Sequence, residues 1–172
     1  MPADKIIVSL ATTFGCPFEG LYEVGKMAAI IERLKREGLN RFTFADTTGI
    51  ASPTQISRFV ETLKMEHTDS HFALYLHNKR GMGLSNLYAG YQSGIRHFDA
   101  THGGIGGCPF APGASGNICL EDTAHMLQFM EIPTGADINR LIETSRQLER
   151  ILSYQLPGQV MKARLSTDTA AV

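Results

Sequence analysis

The sequence predicts an α/β protein built from four consecutive strand–helix units whose strands run parallel, forming the second half of a (β/α)₈ TIM barrel. Short apolar, β-branched runs alternate with stretches of helical periodicity along most of the chain. Short connections between the units favour parallel strands joined by right-handed crossovers. Polar residues follow each predicted strand, which favours part of a barrel over an open doubly wound sheet. A complete barrel typically needs about 250 residues, so 172 residues hold roughly half of one.

The first two units are predicted by the spacing of apolar residues and by residues that are typical of helix ends. Ile6–Ala11 is a short apolar run with β-branched residues, which predicts a strand. Apolar residues then recur at helical spacing across 23–37, and Gly38 stands where helices commonly end in the left-handed conformation. Arg41–Ala45 is the second predicted strand.

The third and fourth units repeat this order. Ser52 followed by Pro53 predicts a helix start, because serine caps a helix N-terminus and proline suits its first position. Phe72–Leu76 is the third predicted strand. A helix over residues 82–92 precedes the fourth strand, Ile95–Ala100.

The remainder of the chain is predicted to hold a loop, two further helices and a tail. Residues 103–116 form a glycine-rich loop, 121–130 and 137–152 have helical periodicity, and 166–172 resembles a frayed, disordered tail. We therefore expect one domain over residues 1–165, a half-barrel with extra C-terminal helices.

The composition is that of an ordinary soluble globular domain and argues against several classes of function. Hydrophobic residues make up 43%, and 16 Lys and Arg stand against 17 Asp and Glu without a block of like charge. Binding to nucleic acid or to an anionic membrane is therefore not indicated. No apolar run suits a bilayer span or a signal peptide, so we expect a cytoplasmic or organelle-matrix protein, the cytoplasm being preferred. The three cysteines form neither an even framework nor a zinc-binding pair.

Polar residues stand at the carboxyl ends of all four predicted strands, where barrel enzymes build their active sites. These residues are Thr12-Thr13, Asp46-Thr47-Thr48, His77-Asn78 and Thr101-His102. Because side chains alternate between the two faces of a strand, Tyr75 and His77 on the third strand should lie on the same face. Imidazole and amide oxygen both bind divalent metals, so His77 with Asn117 could hold part of an octahedral Mg²⁺ or Mn²⁺ site. The alternatives are a hydrogen-bonded structural histidine and, for Asp46, a turn or helix-cap aspartate.

The glycine-rich loop contains one cysteine. Gly103–Asn117 is long for a connection inside a compact domain, and its glycines suit a mobile loop that approaches a ligand closely. Cys108 could donate or accept a proton there, because the flanking glycines make burial in a core less favourable. A plain flexible connection is the alternative.

Four motifs resemble one enzyme family over nearly the whole chain before the tail. They are Gly15–Gly20, Asp46–Gly49, His77-Asn78, and Gly104–Phe110 continuing to Gly116-Asn117. With them the chain resembles the C-terminal half of hydroxymethylglutaryl-CoA lyases, within the metal-dependent barrels that include isopropylmalate, citramalate and homocitrate synthases. The cysteine loop is the part specific to the lyases. The resemblance implies retro-Claisen cleavage of a 3-hydroxy-3-methylglutaryl-CoA-like thioester to acetyl-CoA and a 3-oxo acid.

The resemblance also implies roles for individual residues. His77 and Asn117 would be ligands of a divalent metal ion, Mg²⁺ or Mn²⁺. Cys108 would be the catalytic loop cysteine, Asp46 a substrate-site acid and Glu121 a supporting active-site residue. The positions expected to contact the acyl-CoA substrate are Thr48, Asn78, Gly106 and Gly107.

Two departures from the family pattern bear on activity. Family members carry a His-x-His pair on the third strand, and Tyr75 stands where the first histidine is expected, which removes a metal ligand and a proposed base. The family's first half, with an arginine that stabilises the enolate and an acidic metal ligand, is expected to be absent from these 172 residues. We therefore expect a homo-oligomer or a partner chain to supply it, docked on an exposed apolar edge, because a parallel barrel strand is buried on both faces and paired on both sides.

Two other functions stay open. The chain could be a non-catalytic or truncated half-barrel that binds acyl-CoA or completes another subunit, which the departure at Tyr75 favours. It could also be an enzyme for another branched 3-hydroxyacyl-CoA, because chain-length pockets differ by few contacts.

Overall fold

The structure, a computed structural model, describes residues 3–107 and 116–163. These residues form two compact units, one made by the residues up to Asp99 with Gly107, the other by Ala100–Gly106 with the residues from Gly116 onward. Cys108 and the predicted tail at 166–172 lie outside the described residues. The single domain expected over 1–165 therefore stays a prediction.

The first unit contains a parallel sheet and three helices. A short 3₁₀ turn, Ala3–Lys5, comes first. In chain order the elements that follow are β1 (Val8–Leu10), β2 (Gly15–Cys16), β3 (Gly20–Leu21), α1 (Val24–Arg36), β4 (Arg41–Ala45), α2 (Pro53–Glu66), β5 (His71–Tyr75), α3 (Gly83–Gln92) and β6 (His97–Asp99). The sheet has the order β1-β4-β5-β6, and every pairing in it is parallel. The predicted α/β fold with four parallel strand–helix units is confirmed.

Local signals placed two helix ends correctly. The Ser52 side chain accepts a hydrogen bond from Gln55 N at 3.3 Å, and Pro53 is the first residue of α2. After α1, Gly38 has a φ of +81°. Both ends follow from chemistry that acts within a few residues, which is why the sequence was sufficient to find them.

A small antiparallel hairpin follows β1, and the sequence did not predict it. Gly15 pairs with Leu21, and Cys16 pairs with Gly20. Gly15 has a φ of +152°, and a Cβ atom there would lie 2.8 Å from the Gly20 carbonyl oxygen, so this turn requires glycine. Strands of two residues are too short to show an alternating pattern, which explains the omission.

One face of the sheet is apolar and is covered by helices. Its buried side chains on β4 and β5 are Phe42, Phe44, Phe72 and Leu74. The Phe44 ring packs edge-on against Phe59 of α2, with 4.9 Å between the ring centroids. In α3, a Cβ atom at Gly90 would lie 2.5 Å from Leu74 Cδ1, so any side chain there would require the buried Leu74 side chain to shift.

The opposite face, called the open face below, carries mainly polar side chains. By the strand register it consists of Ser9, Arg41, Thr43, Ala45, His71, Ala73, Tyr75, His97 and Asp99. Arg41, His71, His97 and Asp99 are exposed to solvent. The apolar edge expected for docking of a completing half stays a prediction. Most of the side chains that would point into a barrel interior here are polar.

The second unit contains the base of the glycine-rich loop and two helices. Its elements are a 3₁₀ turn (His102–Gly104), α4 (Leu120–Phe129) and α5 (Ile138–Leu152), so the two extra C-terminal helices are confirmed. Its core consists of Ala124, Ile138, Ile142, Leu156 and Met161. No helix within residues 3–107 and 116–163 combines the length and the apolar character that a membrane span requires.

Candidate metal and substrate site

The carboxyl ends of β4 and β5 bring two predicted site residues together in the first unit. Asp46 directly follows β4, and its backbone N donates to the Tyr75 carbonyl at the end of β5 at 2.9 Å. The His77 imidazole hydrogen-bonds the backbone of Asp46. Parallel pairing therefore places Asp46 and His77 side by side, as strand-end positions in neighbouring strands should be.

Asp46 has one carboxylate oxygen that holds a loop and one without a hydrogen-bond partner among the described residues. Oδ1 accepts from Ile50 N at 2.9 Å and from Ala51 N at 3.2 Å, while Oδ2 is buried. Burial raises the pKa of Asp46 to about 6, although the two backbone hydrogen bonds and the nearby Arg80 oppose the shift. A turn aspartate would account for the hydrogen bonds of Oδ1. It would not account for the burial of Oδ2 without a partner among the described residues.

His77 is buried and keeps one ring nitrogen available. Nδ1 is buried and has no hydrogen-bond partner in the described part of the chain. Burial lowers the pKa of His77, against the opposing effect of the hydrogen bond to the Asp46 backbone. The imidazole is therefore held in its neutral form, which is the form that binds metals. Its ring lies 5.0 Å from the Tyr75 ring, so the predicted shared face is confirmed.

The two other predicted substrate-binding side chains in this unit hold loops. Thr48 Oγ1 donates to the Gly15 carbonyl at 3.2 Å, and Asn78 Oδ1 accepts from Gly83 N at 2.9 Å at the start of α3. Sequence reasoning missed Arg80, which donates to the Thr48 carbonyl at 3.0 Å and to the Gly49 carbonyl at 2.8 Å. No spacing rule pointed to Arg80, because its partners lie more than 30 residues away along the chain.

The second unit fixes the base of the glycine-rich loop. Thr101 Oγ1 donates to the Ile105 carbonyl at 2.6 Å, and Asn117 Nδ2 donates to the same oxygen at 3.0 Å. Gly106 has a φ of +145°, and a Cβ atom there would lie 2.6 Å from Asn117 Nδ2. Asn117 Oδ1 remains buried and has no partner among the described residues. The neighbouring Gly107 is exposed.

Glu121 supports the same loop from α4. Its carboxylate is fully buried, and both of its oxygens accept from Gly103 N at 3.1 Å. A buried carboxylate that binds a backbone N–H holds that backbone in place. In this structure Glu121 therefore acts on the loop, which fits the supporting role implied by the resemblance.

Replacing Glu121 with alanine is expected to lower the free energy of unfolding by about 1–3 kcal/mol, because Gly103 N would be left buried without an acceptor. Urea denaturation followed by circular dichroism measures this change. Glu143→Ala is the matched control, since Glu143 lies on α5 of the same unit and pairs with Arg150 at the surface. The control should change stability by less than about 0.5 kcal/mol. Equal effects of the two substitutions would contradict the supporting role.

Cysteine environments differ between the two described cysteines. Cys119 is buried at the residue before α4, and burial raises the pKa of its thiol. Cys16 is half-buried in β2. Cys119 is consequently inert at neutral pH and serves as an internal reference for thiol reactivity.

Each unit holds one predicted metal ligand whose side chain suits a divalent ion. Each predicted ligand keeps one buried donor atom without a partner in the described chain, Nδ1 in His77 and Oδ1 in Asn117. Nitrogen and amide oxygen are suitable ligands for Mn²⁺ or Mg²⁺. Within residues 3–107 and 116–163 there is no group of three or more His, Cys, Asp or Glu that could hold a metal ion. The metal-ligand roles of His77 and Asn117 stay a prediction.

The sequence is similar to one family model and to curated carbon–carbon lyases. The family described as HMGL-like matches residues 4–148. The (R)-citramalyl-CoA lyase of Chloroflexus aurantiacus is 44% identical over 156 residues, which make up 91% of this chain and 49% of that protein. The hydroxymethylglutaryl-CoA lyase of Bacillus subtilis is 35% identical over 150 residues, 87% of this chain and 50% of that protein.

A solved structure shows the same relation. An HMG-CoA lyase from Acinetobacter baumannii, in complex with coenzyme A and 3-methylmalate, matches with a TM-score of 0.92 and 44% identity. The match covers 96% of this chain and 54% of that one. The chain thus has the fold of part of a TIM-barrel lyase, and it spans about half the length of the curated relatives it matches.

Proposed function

The chain belongs to the HMGL-like family, and we propose that it supplies half of a carbon–carbon lyase that cleaves a 3-hydroxy-3-methylglutaryl-CoA-like thioester. The products would be acetyl-CoA and a 3-oxo acid. The observation that carries the proposal is a pair of buried atoms at the ends of β4 and β5, Asp46 Oδ2 and His77 Nδ1, neither of which has a hydrogen-bond partner among the described residues. Such atoms are costly to bury unless a ligand binds them.

The environment of Asp46 supports a step for that residue, and the resemblance implies one for Cys108. Asp46 would accept the proton of the substrate hydroxyl, because a pKa near 6 suits a general base at neutral pH. Loss of that proton drives scission of the carbon–carbon bond and leaves the acetyl-CoA enolate, which Cys108 would protonate. Thr48, Asn78 and the glycines at 106 and 107 would line the substrate path.

His77 and Asn117 would hold the divalent ion, Mg²⁺ or Mn²⁺, through His77 Nδ1 and Asn117 Oδ1, which have no hydrogen-bond partner in the described part of the chain. When bound, the ion would polarise the hydroxyl and carboxylate oxygens of the substrate. The remaining ligands and the residue that stabilises the enolate would come from the half of the barrel that completes this one, on a partner chain or in a homo-oligomer. A cytoplasmic location, expected from the composition, stays a prediction.

A non-catalytic half-barrel that binds acyl-CoA or completes another subunit is the second candidate, and the observation that favours it is Tyr75. The phenol stands beside His77 on the face where the family pattern has imidazole.

The two candidate functions differ in whether the thioester is cleaved, so the reaction products distinguish them. The test combines the chain with the half of the Chloroflexus aurantiacus lyase that it does not match, called the first-half segment below. The combined chains would be incubated with Mn²⁺ and either 3-hydroxy-3-methylglutaryl-CoA or citramalyl-CoA. Chromatography of the mixtures would detect any acetyl-CoA that is formed. The lyase proposal expects acetyl-CoA from the combined chains once position 75 is histidine. Binding of both thioesters without any product would establish the second candidate instead.

Acyl-CoA is expected to protect Cys108 from thiol reagents, because a glycine-rich loop leaves the thiol accessible until a ligand closes over it. Mass spectrometry after timed labelling gives the rate at each cysteine. Cys108 should label much faster than the buried Cys119, and excess acyl-CoA should slow only Cys108. If Cys108 labels no faster than Cys119, or if acyl-CoA leaves its rate unchanged, the catalytic role of the loop is wrong.

A further inference from the structure

We propose that Arg80 binds a phosphate group of coenzyme A, with the N–H groups of its Nε and Nη2 atoms as donors. The inference rests on the proposed function in one respect, namely that the ligand of this chain is an acyl-CoA. It goes further by assigning a cationic residue to the CoA part of that ligand. The same role would serve a lyase and a half-barrel that only binds acyl-CoA.

Arg80 lies beside the loop that carries Asp46, in the turn that follows β5. This turn packs closely on the loop after β4, since a Cβ atom at Gly49 would lie 2.8 Å from Lys79 Cβ. Gly49 N in turn donates to the Asp46 carbonyl at 2.9 Å. Arg80 is therefore anchored to the tight turn that begins at Asp46, at the carboxyl ends of the two strands.

Two backbone carbonyls hold one nitrogen of the Arg80 guanidinium in place. Nη1 donates to the Thr48 carbonyl at 3.0 Å and to the Gly49 carbonyl at 2.8 Å, which occupies both of its hydrogens. A guanidinium has N–H donors on Nε and Nη2 as well, in the same plane. Those donors have no acceptor within residues 3–107 and 116–163, although the side chain is exposed to solvent.

This arrangement suits an anion that accepts two hydrogen bonds at once. A planar fork that is already fixed loses little freedom on binding, and Arg pairs with phosphate through two parallel N–H···O bonds. The charge of Arg80 also acts on the neighbouring site. Burial raises the pKa of Asp46, and the positive charge of Arg80 opposes that shift. Arg80 thus combines oriented donors with a positive charge close to the proposed substrate site.

The depth of the side chains indicates which anion of an acyl-CoA meets Arg80. Asp46 and His77 are 1% and 6% exposed, and they are proposed to act on the acyl end, whose carboxylate would go to the ion. Arg80 is exposed, so it meets the part of the ligand that stays near solvent. In an acyl-CoA that part is coenzyme A, and its anionic groups are phosphates.

The test titrates the chain by calorimetry with coenzyme A, dephospho-coenzyme A and pantetheine, in EDTA and at low ionic strength. Coenzyme A should bind at least about 10-fold more tightly than pantetheine, the effect of a hydrogen bond between charged groups. Arg80→Gln should bind coenzyme A no more tightly than pantetheine. Arg36→Gln is the matched control, because Arg36 is exposed at the end of α1, and it should bind coenzyme A as wild type does.

Dephospho-coenzyme A identifies the phosphate that is bound. If it binds as tightly as coenzyme A, Arg80 holds the diphosphate. If it binds only as pantetheine does, Arg80 holds the 3′-phosphate. Either result supports the inference, provided that Arg80→Gln abolishes the gain.

A second measurement needs no variant and so does not depend on how Arg80→Gln folds. Phenylglyoxal modifies arginine side chains, and mass spectrometry gives the rate at each position. Coenzyme A should slow modification of Arg80 and leave Arg36 unchanged, whereas pantetheine should slow neither.

The inference is overturned if coenzyme A does not bind, if it leaves the modification rate of Arg80 unchanged, or if folded Arg80→Gln binds it as tightly as wild type. The proposed lyase function fails separately. If coenzyme A binds through Arg80 but the chain combined with the first-half segment never releases acetyl-CoA, the lyase proposal is contradicted and this inference stands.

Discussion

Tyr75→His is expected to tighten Mn²⁺ binding by about 10- to 100-fold, the size of effect that follows from changes around a metal ligand. The Tyr75 ring lies 5.0 Å from the His77 ring and projects from the same strand face. A neutral phenol is a poor ligand for Mg²⁺ or Mn²⁺, whereas a second imidazole beside His77 would add a ligand. Calorimetric titration of Mn²⁺ into both proteins, with and without the first-half segment, measures the change.

Tyr88→His is the matched control for this titration. Tyr88 is exposed on α3, away from the strand ends, and its replacement should leave Mn²⁺ affinity unchanged. Turnover is expected only when Tyr75→His is combined with the first-half segment, because the resemblance implies that the arginine stabilising the enolate lies in that half. If wild type binds Mn²⁺ as tightly as Tyr75→His, then Tyr75 does not stand in a ligand position.

Asp46→Asn is expected to remove a large pH dependence of stability. Burial raises the pKa of Asp46 from its ordinary value to about 6 in the folded chain. A raised acid pKa contributes stability that is fully present below the unfolded pKa near 4 and is lost as pH rises through about 6. Between about pH 4 and pH 7, wild type should therefore lose about 3 kcal/mol relative to Asp46→Asn.

Urea denaturation at intervals of pH in the presence of EDTA checks this expectation, since the chelator keeps metal binding from masking the titration. Asp69→Asn is an informative control. Asp69 is exposed, and its hydrogen bond with Lys35 lowers the pKa of the carboxyl, so any pH effect there should have the opposite sign and be small. If the free energies of unfolding of wild type and Asp46→Asn changed with pH in parallel, ionisation of Asp46 would cost no free energy in the folded chain.

The main strands and helices could be predicted from the sequence because they depend on interactions between residues that are close along the chain. Apolar spacing, the Ser52 cap and Gly38 act over a few residues, and they placed the four parallel strands and their helices. The same reasoning placed Asp46 and His77 at neighbouring strand ends, because parallel strands bring their carboxyl ends to one edge.

What the sequence did not show depends on contacts between distant residues. Arg80 reaches back to the Thr48 and Gly49 carbonyls, and Glu121 reaches back to Gly103 N. Neither contact produces a periodic pattern in the sequence, since each depends on how the loops pack after the strands have formed.

Pulsed electron paramagnetic resonance of Mn²⁺ in the complex with the first-half segment tests most directly whether this chain contributes ligands to a metal-dependent lyase site. A coordinating imidazole couples its nitrogen to the Mn²⁺ electron spin. Wild type should show this coupling, His77→Gln should lose it, and His125→Gln, altered on α4 where the imidazole stacks on Phe129, should retain it. Coupling that persists unchanged in His77→Gln would contradict the assignment of His77 as a ligand and with it the proposed site.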